Sequence, residues 1–118
     1  MPDPGPDELS AEDAKLVTLA RATRARVGAA EGAAVRDLDG RTYAAATVDL
    51  RSLQLSAVQS CVAMAVASGA RGLEACVVLG AASSLVEPDH RALTDLAGTG
   101  VVVHFADERG TVVMSVTT

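Results

Sequence analysis

Glu31-Gly32-Ala33-Ala34-Val35-Arg36-Asp37-Leu38-Asp39-Gly40, continued by Arg41 to Asp49, is the stretch on which the fold turns. Two extended segments, Ala33 to Leu38 and Arg41 to Asp49, flank Asp39-Gly40, a dipeptide suited to the positive φ angles of a tight two-residue turn. The spacing predicts a β-hairpin. Directly after it, Leu53 to Ser68 carries no charged residue and is closed by Gly69. A helix so apolar nearly all round is expected to be buried on several sides.

Working outward, Ser10 followed by Glu12 and Asp13 reads as an N-cap with acids in the first turn, and Leu16, Leu19, Ala20 and Val27 recur at helical spacing up to Gly28. Arg21, Arg24 and Arg26 form its solvated polar face. Downstream, Leu73 to Leu79 is a short, β-branched-rich run closed by Gly80, the pattern of a central strand reached by a parallel crossover. Pro88 suits the first turn of a helix through Leu96, with Gly98 past its end. Val101 to Phe105 and Thr111 to Val116 are two further strands, joined by Asp107-Glu108-Arg109-Gly110. The order α-β-β-α-β-α-β-β predicts a three-layer α/β fold: a mixed sheet of about five strands with helices on both faces.

Composition narrows the function. At 118 residues the chain makes one domain, residues 10–118, preceded by an acidic, Pro-rich tail over residues 1–9. Hydrophobic residues are 49% of the chain and aromatics only 2%, so the core must be built from Ala, Val and Leu at close backbone distances. Of the 15 acids, five lie in the first 13 residues, which leaves ten acids against ten bases from Ala14 onward. A neutral body with an acidic leader carries no electrostatic footprint for nucleic acid or an anionic membrane. The leader is not a signal peptide, and Leu53 to Ala67 is shorter than the roughly 20 residues that span a bilayer. A cytoplasmic location is therefore expected. Cys61 and Cys76 lack the paired spacing of a structural zinc site and read as small buried residues.

Two stretches carry a resemblance. Glu31 to Gly40 resembles the Val-Gly-Ala-Ala-Leu-Leu-Thr-Glu-Asp-Gly of the cytidine deaminases, and Ser56 to Gly69 lines up without a gap against the helix that begins Cys-Ala-Glu-Arg in that family. The resemblance runs from about Ser10 to Val116 and implies the cytidine deaminase fold, with one zinc held by three protein ligands and a non-ligand Glu that shuttles protons. It maps the first ligand onto Ser56 and the shuttle Glu onto Val58. A hydroxyl is a poor zinc ligand beside a thiolate, and valine carries no proton. The family's Pro-Cys-x-x-Cys corresponds to Pro88-Asp89-His90-Arg91-Ala92, which keeps the proline and places Asp89 and Ala92 at the cysteine positions. The resemblance thus implies zinc, while the residues supply no ligand set.

The family's ribose clamp, Asn-x-Glu, corresponds to Thr47-Val48-Asp49, so Thr47 and Asp49 are the candidate contacts for a pyrimidine nucleoside; both also suit a strand end. A hydrolase triad of Ser56, His90 and Asp89 is not expected, because adjacent helical residues point about 100° apart. His104, alone in a strand, reads as structural. Three readings follow: a catalytically inactive deaminase-like protein serving as a homo-oligomeric scaffold or interaction protein; a nucleoside sensor; and an active cytidine or deoxycytidine deaminase with an atypical metal site.

Overall fold

A computed structural model describes residues 9–81 and 84–118. The expected tail therefore lies outside the described residues except for Leu9, which packs against the core. The elements are α1 (Ala11–Val27), β1 (Gly32–Asp37), β2 (Thr42–Ala46), β3 (Val48–Leu50), β4 (Leu53–Leu55), α2 (Ala57–Ala67), β5 (Leu73–Leu79), α3 (Glu87–Ala97), β6 (Val102–Ala106) and β7 (Val112–Thr117). Five strands form one mixed sheet in the order β2-β1-β5-β6-β7, parallel between β5 and β6 and antiparallel elsewhere. The predicted sheet and its helices on both faces are those observed. Because β1 separates β2 from β5, the connection through α2 joins two strands of the same direction across an intervening one.

β5 sits at the centre and explains the two-sided core. Its Cys76 and Val78 face α2 and α3 with Val35, Val58, Leu93 and Phe105, while Ala75, Val77 and Leu79 face α1 with Leu16, Val17 and Ala20. Such continuous burial is why the strand reads as an unbroken apolar run. The scarcity of aromatic residues is met by close approach. A Cβ on Gly32 would stand 2.3 Å from the carbonyl oxygen of Ala20, so glycine at the head of β1 lets α1 lie directly on the sheet. α1 begins at the expected Ser10 cap, whose hydroxyl accepts the Asp13 N–H at 3.0 Å, and ends at Gly28 in the left-handed conformation, φ 70°.

Three local expectations differ. The β1–β2 connection is four residues long, Leu38 to Arg41, and only Gly40 in it has positive φ, so it is not the two-residue form. Asp37 explains the choice: one carboxylate oxygen accepts the Asp39 and Arg41 N–H groups at 2.9 Å and the other accepts the Tyr43 hydroxyl at 2.9 Å. Burial pushes the Asp37 carboxyl up, but these donors prevail and hold it below the usual carboxylate range. Second, Arg41 to Asp49 is not one strand, and Leu53 to Leu55 is not helix: β3 and β4 pair as a separate hairpin, Val48 opposite Leu55 and Leu50 opposite Leu53. Third, α2 buries one face only. Ala57, Val58, Ser60, Cys61 and Ala65 are buried, whereas Ala63, Met64, Val66 and Ala67 are exposed.

Candidate functional site

The N-termini of α2 and α3 meet over one edge of the α2/α3 core, and each presents one polar side chain to the other. Ser56 is the N-cap of α2: its hydroxyl accepts the Gln59 N–H at 3.0 Å, and the Gln59 side-chain oxygen accepts the Ser56 N–H at 3.0 Å. This reciprocal pair is a capping box, written in the sequence as Ser-x-x-Gln. The Ser56 hydroxyl donates its own proton to Asp89 Oδ1 at 2.5 Å. Asp89 is buried in the first turn of α3, where Pro88 costs no hydrogen bond and the helix dipole favours a carboxylate. The two residues assigned to ligand positions are thus in contact. Ala92, one turn further on, is half-buried and brings only a methyl group.

Val58, assigned to the shuttle position, is 1% exposed and belongs to the core beside Cys61 and Leu93. His90 is exposed, so Ser56, Asp89 and His90 do not converge, as the helical spacing predicts. Thr47 and Asp49 are not joined by any hydrogen bond. Thr47 is engaged with Glu31, its hydroxyl oxygen accepting the Glu31 N–H at 3.1 Å and its N–H donating to the Glu31 carbonyl at 3.1 Å. Asp49 is exposed in the β3–β4 hairpin opposite Gln54.

One group was missed. Glu31 is half-buried near Asp89; burial first, and the Asp89 charge second, hold its carboxyl above the usual range. A charge where the resembling motif has valine was the available signal. Cys61 and Cys76 are free and buried, and burial pushes the Cys61 thiol up to about 12 and the Cys76 thiol well above the ordinary range. Protonated thiols of this kind neither bind metal nor react.

The donors can be tested against zinc directly. Three protein donors are needed, and the assigned positions offer a hydroxyl already used twice, one carboxylate and a methyl. Among the described residues, no group of three or more His, Cys, Asp or Glu side chains is placed to hold a metal ion. The residues do not fit zinc, and no reaction step through it is derived. Among the described residues, no helix is long and apolar enough to cross a membrane.

Comparison with known proteins places the fold. The crystal structure of cytidine deaminase from Burkholderia pseudomallei is similar with a TM-score of 0.78 at 20% identity, covering 92% of this chain and 93% of that one. Cytidine deaminase from Mycobacterium leprae gives 0.71 at 21% identity over 92% and 94% of the two chains, and that from Mycobacterium tuberculosis 0.69 at 22% over 80% and 85%. No curated protein sequence matches. The family model described as cytidine deaminase-like matches residues 9–110, and the chain is a member of that cytidine deaminase-like family.

Proposed function

We propose that this chain is a member of its family silent in zinc-dependent cytidine deamination, in which the fold serves association with further copies of itself. The observation that carries the reading is the Ser56–Asp89 hydrogen bond, together with the burial of Val58. Where a deaminase needs ligands and a proton carrier, this chain has a helix cap, a cap-to-helix contact and core. The apolar outer face of α2 supports the second half. Met64 and Val66 are 43% and 55% exposed, and a groove of about 430 Å³ lined mainly by apolar groups runs between α1, β2 and α2. A face without charges, left uncovered by its own chain, is the composition of an interface. The free buried cysteines suit the reducing cytoplasm.

The test of silence is zinc content and ammonia release from cytidine, measured on the same tag-free preparation. No zinc and no turnover are expected; about one zinc per chain with turnover would restore the deaminase reading. Association is tested by sedimentation of wild type and Val66→Asp. Because Val66 is exposed in the single chain, the variant should stay folded and become monomeric; a monomeric wild type would refute the assembly.

A further inference from the structure

The opposite face of the sheet holds a constellation that the family's chemistry does not use. His104 on β6 is 1% exposed, and its two ring nitrogens are both engaged: Nε2 with Asp13 Oδ2 at 2.9 Å and Nδ1 with Ser115 Oγ at 2.6 Å. Asp13, on α1, is itself fixed by Arg36, whose Nη2 lies 3.0 Å from Oδ1, and Arg36 is held in turn by Glu74 at 2.9 Å. Burial pushes the Asp13 carboxyl up, but its contacts with His104 and Arg36 outweigh this and keep it below its ordinary value.

These contacts fix the protons. An ionised carboxylate only accepts, so Nε2 carries a hydrogen; in the neutral imidazole Nδ1 is then the acceptor, and the Ser115 hydroxyl donates to it. Serine, imidazole and carboxylate therefore stand in a Ser-His-Asp relay, with the two ring nitrogens exchanged relative to the serine proteases. The base at Nδ1 is poised to take the Ser115 proton, and Asp13 stabilises the imidazolium that results. Ser115 is half-buried on β7, which is an edge strand of the sheet, whereas His104 and Asp13 are buried behind it. That is the order of access a nucleophile and its base require.

We propose that Ser115 is an activated nucleophile that accepts acyl groups from small activated esters. In the step, the Ser115 Oγ–carbonyl carbon bond forms while the hydroxyl proton passes to His104 Nδ1. The ester C–O bond breaks, and the departing alkoxide or phenoxide takes that proton; water then hydrolyses the acyl-serine. Asp13 is the positioning residue.

The test uses the full chain with a fluorophosphonate, which forms an Oγ–P bond to an activated serine with loss of fluoride, followed by peptide mapping. Labelling at Ser115 should exceed that at the exposed Ser52 and Ser68 by at least tenfold and vanish in Ser115→Ala. In Asp13→Asn a relay predicts that Ser115 labelling falls on the order of 100-fold while Ser52 and Ser68 are unchanged. A purely structural Asp13 predicts the reverse, because a loosened α1 exposes Ser115 and labelling holds or rises. Equal labelling of all three serines in the wild type would overturn the proposal, as would an unchanged or faster Ser115 reaction in Asp13→Asn. Should Asp13→Asn fail to fold, the wild-type ratio and hydrolysis of p-nitrophenyl acetate, lost in Ser115→Ala, decide the matter.

Discussion

The two faces of the sheet treat polar side chains in opposite ways. Under α1, Asp13, Arg36 and His104 form a polar chain anchored at Glu74 and Ser115, and every link joins two different elements. Under α2 and α3, the positions marked by the motif resemblance hold a capping box and one hydrogen bond, Ser56 to Asp89, with Val58 in the core. A helix start needs a cap whatever chemistry the fold carries, so capping alone accounts for the serine at the head of α2. The α1 face shows the converse. Ionised groups remain buried where they are mutually paired, since breaking one pair would leave its partner uncompensated.

The comparison is broken most severely by Val58→Glu. It restores the shuttle side chain but puts a carboxylate among Cys61, Leu93 and Phe105, and should cost about 4 kcal/mol in denaturant unfolding at neutral pH. A variant as stable as wild type would mean that Val58 borders a cavity able to solvate it. On the other face, Asp13→Ala leaves His104 Nε2 without its partner and Arg36 with Glu74 as its close carboxylate, and should cost about 3 kcal/mol. The sign of its pH dependence is fixed by the depressed carboxyl. The native Asp13 contribution is present above the unfolded value of 3.8 and is lost as pH falls through the lower folded value, so wild type and variant should converge in acid melts. Parallel curves down to acid pH would mean that Asp13 is not ionised in the folded chain.

Smaller effects sharpen the contrast. Ser56→Ala removes the α2 cap and the hydroxyl that satisfies Asp89, and should lower stability by about 1 kcal/mol without changing zinc content. A change in bound metal would show that Ser56 is a ligand after all. Glu31→Gln should be mildly stabilising at neutral pH, because the native carboxyl is held above its ordinary value. The gain should fade as pH falls through the raised folded value and be gone below the unfolded value of 4.5, where both states of the wild type are protonated. Thermal melts across that range measure it, and destabilisation at neutral pH would mean that the charge of Glu31 is paired.

Much of the fold was legible because it rests on local rules. Ser10, Gly28, Pro88 and Gly98 mark helix ends by capping chemistry, and Leu73 to Leu79 marks a strand buried on both faces. The β3–β4 hairpin was not legible: Leu53 to Leu55 continues the uncharged run of α2, and periodicity does not separate a short strand from a helix start. The turn at Asp39-Gly40 went astray for a related reason, since Tyr43 and the Arg41 backbone recruit Asp37 and set the loop length from outside the dipeptide.

The sequence by itself determined the family scaffold, the order of its helices and main-sheet strands, and which residue types, Ser56, Val58, Asp89 and Ala92, stand where the motif resemblance falls. Tertiary structure alone decided what the replacements do. The sequence separations of 33 from Ser56 to Asp89 and of 91 from Asp13 to His104 are closed by packing two helices on one face of the sheet and one on the other. Hydrogen-bonded pairs across such separations leave no periodic trace in the chain, because the side chains meet through the geometry of whole elements and not through the spacing of neighbours.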